Sequence, residues 1–370
     1  MFVTALRQYL NNTAVVEDRI IEQSRVILKH FEKQQGKAFD PSDVVVAAVA
    51  RVTGSISFGE KFITSSTFKH LLEVNVEGMK NAQEHQTLLV LNAFPAVAKF
   101  FPAFKHNKMI CDTAFGIIRQ VLKEREESFD PKRPINDLVS GLLKAKQETP
   151  YESEEERAAV LSTEHLICTL EDMFVAGYET TSTTLRWAIA YLTHYPKYQL
   201  ELQQQIDGII ERGRLPGLED RYKLPLVHAT IMETLRVCNT VDAAIPHYSL
   251  RDTTLCGYRL PKGTVVMVDL ESVHMDPKYW DNPTEFNPHR HMDKNGNLVT
   301  DQGHFLAFSA GRRVCAGEPL AKVELFLFLT IMLQEYSFVP IDGEPLPDLV
   351  GLRGITKFPR PFKICAKKRN

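Results

Sequence analysis

The stretch FSAGRRVCAG, residues 308–317, contains one cysteine that follows two arginines and lies between two glycines. The next residues, EPLAKVELFLFL (318–329), predict a helix. Cys315 would then face the positive end of the helix dipole and unpaired backbone N–H groups, which favour a thiolate over a thiol. Cys315 is therefore a candidate nucleophile or metal ligand, and a buried inert cysteine is the plainer alternative.

The composition is that of an ordinary globular chain. Of the 370 residues, 44% are hydrophobic and 24% are charged, and the formal net charge of −2 gives no overall attraction to nucleic acid. The chain has no run of about 18 apolar residues, so we expect no membrane span. Its first ten residues lack the apolar core of a secretory signal. The absence of any CxxC pair favours a reducing compartment over a disulfide framework. The cysteines are Cys111, Cys168, Cys238, Cys256, Cys315 and Cys365.

The spacing of hydrophobic residues changes once along the chain. Roughly the first 240 residues predict mainly helix, because apolar residues recur near a helical period. The stretch TLCGYRLPKGTVVMVDL (254–270) instead predicts two strands joined by a Pro-Lys-Gly turn. We therefore expect a mainly α fold with a minor β portion. No shift in composition marks a boundary, so we predict one domain over residues 1–370.

The cysteine stretch also matches a known family pattern. F-x-x-G-x-R-x-C-x-G is filled by Phe308, Gly311, Arg313, Cys315 and Gly317, and it resembles the haem-binding signature of the cytochrome P450 family. Five fixed positions in ten residues make a chance match rare.

Three further segments resemble P450 motifs and occur in the expected order. Glu233-Thr-Leu-Arg236 is similar to the E-x-x-R motif, and FNPHR (286–290) is similar to the segment that supplies a second arginine. AGYETT (176–181) resembles the oxygen-activation segment of a long central helix, here predicted over about 163–194. The resemblance covers nearly the whole chain. It is closest to the animal microsomal branch, which handles drugs, fatty acids and steroids.

The resemblance implies haem b as the cofactor and Cys315 as the thiolate ligand of its iron. Electron donation from the thiolate favours cleavage of the O–O bond. Phe308 would cover the thiolate, and Arg313 and His247 would pair with the haem propionates. The residues implied to contact haem are Phe308, Gly311, Arg313, Cys315, Gly317, His247 and Ala176.

Glu179 and Thr180 are implied to be the acid and alcohol that deliver protons to bound dioxygen while bulk water is excluded. The Thr180 hydroxyl is expected to bond the preceding helical turn and leave room for ordered water. Gly177 is expected to let oxygen lie against the backbone. Without Cys315 downstream, TTSTT (180–184) would be read as a moderately polar helix face.

Two further groups of residues follow from the resemblance. Glu233, Arg236 and Arg290 would form a buried charge network that supports the haem loop. The apolar stretch FPAVAKFFPAF (94–104) would roof a pocket for a lipophilic substrate that arrives from a membrane. The implied pocket residues are Phe174, Val241, Ala244, Ile245, Ile355 and Thr356.

The implied reaction inserts one oxygen atom of O₂ into a lipophilic small molecule and reduces the other to water. Electrons would come from NADPH through a separate flavoprotein reductase, with a small haem protein as a further donor. The chain has no nucleotide-binding glycine fingerprint, so we do not expect it to bind NADPH itself. By family resemblance we expect the cytoplasmic face of the endoplasmic reticulum membrane, peripheral membrane contact and no nucleic-acid partner.

Three alternatives remain open at this point. A haem-thiolate isomerase or dehydratase would rearrange peroxides without a reductase, although it would not need the Glu179–Thr180 pair. A non-catalytic remnant of the fold would have a binding or regulatory role. A zinc site on His289 and His291 is the weakest alternative, because H-x-H has no cysteine pair beside it.

Compared with the family, the chain is expected to be truncated at its N-terminus. The resemblance starts well inside the P450 fold, so we expect the first strands, the early helices and a membrane anchor to be missing. The only tryptophans are Trp187 and Trp280, and neither precedes the central helix. We therefore expect the 370 residues by themselves to retain haem weakly or not at all and to show no efficient turnover, because haem would lose one wall and two propionate partners.

Overall fold

Helices make up most of the protein. The computed structural model describes residues 13–84, 95–98, 100–148, 162–300 and 302–369. Helices account for 59% of the structure and strands for 9%, so the predicted mainly α fold with a minor β portion is confirmed. The helices are α1 (Thr13–Gln34), α2 (Ser42–Phe58), α3 (Glu60–Ile63), α4 (Ser66–Glu84), α5 (Pro95–Ala98), α6 (Pro102–Glu127), α7 (Leu138–Glu148), α8 (Thr163–His194), α9 (Pro196–Ile209), α10 (Pro225–Cys238), α11 (Leu270–His274) and α12 (Glu318–Glu335).

The 32-residue helix α8 is the long central helix that the sequence predicts. It begins where the Ser162 hydroxyl accepts the N–H of His165 at 3.2 Å, which satisfies one of the free donors of the first turn. It ends just before Pro196, which opens α9 and disfavours helical geometry at the residue before it. The second half of α8 is almost wholly buried, so its side chains have neighbours on every side.

Helix α8 packs against α2, α6, α10 and α12. One cluster of buried hydrophobic side chains runs from Val16 in α1 to Ile364 near the C-terminus. Because this cluster joins early and late parts of the chain, it is compatible with one domain, although the division 1–370 stays a prediction. No helix within the described ranges is long and apolar enough to cross a membrane.

Helices α2 and α8 approach closely where both carry small residues. A Cβ added to Gly177 would lie 2.7 Å from the Cγ2 atom of Thr53, closer than real atoms come. Gly177 therefore serves the contact between these helices. The expectation that oxygen lies against the backbone at Gly177 stays a prediction.

The strands are short and antiparallel. They form one three-stranded sheet in the order β1-β9-β6 and three two-stranded pairs, β2-β5, β3-β4 and β7-β8. The strands are β1 (Ala38–Phe39), β2 (His247–Tyr248), β3 (Thr253–Leu255), β4 (Tyr258–Leu260), β5 (Val265–Val266), β6 (Tyr336–Val339), β7 (Leu352–Arg353), β8 (Lys357–Phe358) and β9 (Ile364–Lys368).

The two strands predicted within residues 254–270 are three in the structure. The Pro-Lys-Gly turn is present, with Gly263 at φ 84° and the Thr264 N–H bonded to the Pro261 carbonyl. An additional turn at Cys256 and Gly257, both with positive φ, divides the first predicted strand into β3 and β4. Strand β5 then pairs with β2 instead of β4.

Candidate functional site

The loop before α12 is closed by its own backbone. The N–H of Cys315 donates to the Phe308 carbonyl at 2.9 Å, and the N–H of Val314 donates to the Gly311 carbonyl at 3.2 Å. Gly311 opens a short 3₁₀ turn, Gly311–Arg313, with φ of 73°, a conformation that side chains rarely adopt. The signature residues thus build one compact loop that presents Cys315 two residues before the N-cap of α12 at Gly317.

The backbone N–H groups of Gly317 and Glu318 lie near the sulfur of Cys315 and favour its charged form, and the Glu318 N–H donates to the Cys315 carbonyl at 3.4 Å. The residue is exposed as a whole, but the surrounding loop atoms desolvate its sulfur enough to raise the pKa of the thiol. The Glu318 carboxylate raises this pKa further, and the two N–H groups oppose the shift without cancelling it. The sequence led us to expect a favoured thiolate because of the helix end. In the structure, desolvation and the Glu318 carboxylate outweigh that effect and raise the pKa of the thiol.

Phe308 lies half-buried at the start of the same loop. The Lys322 ammonium lies 5.6 Å from the centre of its ring, a cation–π contact, and also bonds Glu318 at 2.6 Å. These contacts tie the loop to the first turns of α12. Arg313 is exposed on the 3₁₀ turn, and His247 lies half-buried in β2, paired with Val266.

The middle of α8 exposes Ala176 and leaves Thr180 half-buried, one helical turn apart on the same face. The Thr180 hydroxyl donates to the Ala176 carbonyl at 2.8 Å, the bond to the preceding turn that was expected. The carbonyl of Thr180 accepts the Thr184 hydroxyl, which lies 3.2 Å from that of Thr240. This face of α8 is thus joined to the loop that follows α10.

Glu179 points to a different side of α8 from Thr180 and is 9% exposed. Its Oε1 atom accepts hydrogen bonds from Thr356 at 3.1 Å and Thr183 at 3.3 Å. Burial raises the pKa of Glu179, although these hydroxyls and the charge of Arg186 oppose the rise. Glu179 and Thr180 are therefore adjacent in sequence but contact different partners in the structure.

The expected pocket residues other than Phe174 lie on two loops, residues 241–245 and residues 355–356. Val241 is half-buried, Ala244 is buried, and Ile245 and Ile355 are 77% and 54% exposed. The Lys357 N–H donates to the Thr240 carbonyl at 2.8 Å, which joins the two loops that carry these residues. Thr356 is buried and bonded to Glu179, so it supports the acid.

Phe174 does not match its expected place in a pocket wall. It is fully buried, and its ring contacts those of Phe58, Phe68 and Tyr178 at 5.2–5.9 Å between centres. Its position on α8 turns it toward α2 and α4, into the core. Of the expected pocket roof at 94–104, residues 94 and 99 lie outside the described residues, and Phe100 and Phe101 are exposed.

The expected charge network is fully formed around Glu233. Arg236 donates to both carboxylate oxygens of Glu233 at 2.8 and 2.9 Å, and Arg290 donates to Oε1 at 2.8 Å. The Asn287 N–H also donates to Oε1. Burial by itself would raise the pKa of Glu233, but the hydrogen bonds and charges of Arg236 and His291 lower it to about 2. Glu233 is thus a buried carboxylate that is ionised at neutral pH.

His291 is a member of this network that the sequence reasoning missed. Its Nε2 atom lies 3.0 Å from Glu233 Oε2, and its Nδ1 atom lies 2.8 Å from Gln302 Oε1. His289 instead contacts the Glu201 carboxylate, so the two histidines of H-x-H have separate partners. Within the described ranges, His, Cys, Asp and Glu form no group of three or more able to hold a metal ion.

A haem group fits the residues of this site. Backbone N–H groups near the Cys315 sulfur favour its charged form, which suits a thiolate that binds iron. A Cβ added at Gly311 would meet nothing within 4 Å, and Val314 is 44% exposed, so one side of the loop is open and partly apolar. A separate surface cavity of about 760 Å³ includes Lys61, Arg125 and Lys144 in its wall but none of the expected site residues.

Comparison with known proteins agrees with this fit. A family model described as "Cytochrome P450" matches residues 1–366. The chain therefore belongs to the cytochrome P450 family, the class of haem-thiolate monooxygenases that use haem b.

Its relatives include animal proteins of P450 family 2. Cytochrome P450 2U1 of Rattus norvegicus is 33% identical over 368 residues, which cover 99% of this chain and 68% of the relative. The 2U1 protein of Homo sapiens is also 33% identical, with 66% of its length covered. Cytochrome P450 2C8 of Homo sapiens is 34% identical over 98% of this chain and 73% of its own length. The chain thus spans about two thirds of these relatives, and the expected similarity to the animal microsomal branch is confirmed.

Proposed function

We propose that this chain carries the haem-thiolate site of a monooxygenase that oxidises a lipophilic small molecule. The observation that carries the proposal is the Cys315 loop, which its own backbone hydrogen bonds close so that Cys315 is presented at the start of α12 beside an open, partly apolar surface. When bound, haem supplies the redox chemistry that delivers one oxygen atom of O₂ to the substrate and the other to water. The N–H groups of Gly317 and Glu318 would stabilise the negative charge of the Cys315 thiolate.

The flat cofactor would be oriented by charged and small residues. Arg313 and His247 would pair with its propionates, as charge-assisted hydrogen bonds. Phe308 would cover the thiolate side, and Ala176 has a side chain small enough for a flat group to approach α8. The support for Ala176 is its exposure in the middle of a helix that is otherwise mostly buried.

Glu179 and Thr180 would take part in proton delivery from two different sides of α8. The raised pKa of Glu179 favours a carboxyl group that keeps its proton closer to neutral pH. Thr356 and Thr183 orient this carboxyl group through their hydroxyls. The Thr180 hydroxyl lies on the face of α8 that also carries Ala176, and it donates to the Ala176 carbonyl. From this position its oxygen would accept a further hydrogen bond. Because Glu179 and Thr180 point in different directions, a proton would pass between them through several intervening groups and not by direct contact.

The substrate would lie against apolar side chains of the two joined loops. Ile245 and Ile355 are exposed, Ala244 directly precedes Ile245, and Val241 lies four residues before it. These side chains carry no charge, which favours a lipophilic substrate over a charged one.

The electron donor would be a separate NADPH-dependent flavoprotein reductase, with a small haem protein as a further donor. Arg312 and Lys322 lie on and beside the Cys315 loop and would attract an acidic partner surface. We also propose peripheral contact with the cytoplasmic face of the endoplasmic reticulum membrane. Val97, Phe100 and Met109 are 53%, 72% and 56% exposed, and such apolar side chains would favour that contact.

The proposal is tested by loading the purified chain with haemin and recording the carbon-monoxide difference spectrum after dithionite reduction. We expect a weak thiolate-type Soret band, in keeping with the weak haem retention expected of these 370 residues, and we expect Cys315→Ser to abolish it. Cys256→Ser is the matched control, because Cys256 is also exposed but lies in the turn between β3 and β4, outside the haem signature. A thiolate-type band that survives in Cys315→Ser would refute the assignment.

Two assays separate the remaining alternatives. Product formed with NADPH and reductase supports the monooxygenase, whereas product formed only from a lipid hydroperoxide supports the isomerase or dehydratase. A chain that folds but takes up no iron from haemin would be the non-catalytic remnant. The intact Glu179–Thr180 pair favours the first result, since peroxide rearrangement needs no proton delivery to dioxygen.

A further inference from the structure

His274, the last residue of α11, is fully buried beside the charge network. Its backbone carbonyl accepts a hydrogen bond from Arg236 Nη1 at 2.8 Å. Its ring packs against Phe305 with 5.8 Å between ring centres and against Trp280 at 6.4 Å. His274 therefore touches both the network and the segment that leads to Cys315.

The hydrogen bonds of the ring define its protonation state. The N–H of Leu306 donates to Nε2 of His274 at 2.9 Å. A backbone N–H can only donate, so Nε2 must be the unprotonated nitrogen. The proton then lies on Nδ1, which donates to Asn239 Oδ1 at 3.3 Å. The geometry thus requires a neutral imidazole in one tautomer.

Leu306 is close in sequence to the closed loop. Two residues further on, the carbonyl of Phe308 accepts the N–H of Cys315. On the other side, the Phe305 N–H bonds the carbonyl of Gln302, whose side chain contacts His291. The segment 302–308 is therefore held by His274 at one point and by His291 at another before it reaches the cysteine.

We propose that His274 is a positioning residue: its neutral imidazole anchors segment 302–308, and through it the Cys315 loop, and protonation of the imidazole releases that anchor. The effect of this anchor on haem binding rests on the proposed role of Cys315 as haem ligand. The anchor itself is a property of this polypeptide.

The surroundings of His274 keep it neutral under ordinary conditions. Burial, then the charge of Arg236, then His291, lower the pKa of His274 to about 4, while Glu233 opposes the shift and His304 adds to it. Since the pKa of Glu233 is about 2, this carboxylate is still ionised when His274 takes up its proton. On acidification the anchor is expected to fail before the Glu233 network does.

The first test measures amide hydrogen exchange of the haem-free chain at neutral pH, so it does not depend on cofactor binding. In His274→Phe we expect the Leu306 amide to exchange about tenfold faster, as the loss of one hydrogen bond implies. His274→Gln keeps a side-chain acceptor and a donor, and should retain most of the protection. His228→Gln is the matched control, because its pKa is also lowered to about 4 by burial and then Arg221, and its ring packs on Phe326 in α12. Unchanged exchange at Leu306 in His274→Phe would overturn the proposal.

The second test follows the thiolate-type band of the haem-loaded chain as the pH is lowered. We expect the wild type and His228→Gln to lose the band with a midpoint near the pKa of His274, and His274→Gln to lose it at least about one pH unit lower. The same midpoint in all three proteins would overturn the switch. If Cys315→Ser kept the thiolate-type band, the proposed function would fail. The exchange of the Leu306 amide in the haem-free chain would still show whether His274 anchors the segment.

Discussion

Glu233 illustrates how much one buried residue can depend on its partners. Arg236, Arg290 and His291 all contact its carboxylate, and Glu233 and Arg236 are both fully buried. Removing two charges from water costs several kcal/mol per ion, which is recovered only when each group is well paired. The arginines also bond the backbone carbonyls of residues 274, 281, 283 and 285, which ties α10 to the irregular segment after α11.

Replacing Glu233 with glutamine should therefore lower the free energy of unfolding by about 3–5 kcal/mol, because two buried guanidinium groups lose their countercharge. Urea unfolding followed by circular dichroism measures the change. Glu73→Gln is the control, since Glu73 is exposed and its pair with Lys69, one helical turn away at 3.6 Å, contributes less than about 0.5 kcal/mol. Equal effects of the two substitutions would contradict the structural role of Glu233.

The sequence motif identified Glu179 and Thr180 together but could not separate their surroundings. Consecutive residues on a helix are about 100° apart, so they face different neighbours. The partner of Glu179 is Thr356, far away along the chain, and the sequence carries no local signal for that pairing. Similarly, the pKa of Cys315 depends on desolvation and on Glu318 as well as on the helix end.

Among the secondary-structure elements, the contact between α2 and α8 is limited by the size of two side chains. Thr53 is 2% exposed and faces Gly177 across the contact. Thr53 is β-branched and has a single rotatable side-chain bond, so it can move aside only by changing rotamer. The backbones of α2 and α8 can therefore come together only because position 177 has no side chain.

Gly177→Ala should destabilise the protein by about 1–3 kcal/mol, because its added methyl group overlaps Thr53. Thr53→Ser removes the opposing methyl group and should restore part of the loss in the double mutant. Gly116→Ala in α6 is the control, since a Cβ there meets nothing within 4 Å; it should stabilise the helix by about 0.5–1 kcal/mol. Thermal unfolding of the four variants gives the comparison, and a stabilising Gly177→Ala would show that the helices are not in close contact.

The separation of β3 from β4 shows where local patterns are weakest. Residues 254–260 alternate as a strand would, but Cys256 and Gly257 adopt positive φ and form a turn. Glycine allows that conformation readily, whereas cysteine adopts it only when its surroundings favour it. Likewise, β5 pairs with β2 and not with β4, and the alternation of residues along a strand does not determine which strand it pairs with.

At the scale of the whole molecule, buried titratable groups limit stability from both sides of the pH range. His274 and His228 have pKa values of about 4 in the folded chain and about 6.5 when unfolded. Between these values the unfolded chain binds more protons, so the free energy of unfolding falls as the pH is lowered. Glu171 acts in the opposite direction: burial raises its pKa to about 7, opposed by a hydrogen bond from Asn75, so stability is lost as the pH rises from about 4.5 to 7.

Glu171→Gln should therefore raise the free energy of unfolding at pH 8 by up to about 3 kcal/mol and change it little at pH 4, where the folded and unfolded carboxyl groups are both largely protonated. Urea unfolding at the two pH values tests this. Glu22→Gln, at an exposed position on α1, should change the result by less than about 0.5 kcal/mol at either pH. The same effect of Glu171→Gln at both pH values would mean that its carboxyl group does not titrate abnormally.

The amino-acid sequence by itself determined the class of this protein, the helix α8 and the Cys315 loop, because each depends on residues close together in the chain. The glycines, the cysteine and the first turn of α12 form their hydrogen bonds within about ten residues. Only the tertiary structure decided that Phe174 faces the core, that Gly177 faces Thr53 and that His274 anchors Leu306. Those partners are distant in sequence, and which of them meet depends on how helices and loops pack together to bury apolar surface and to pair buried polar groups.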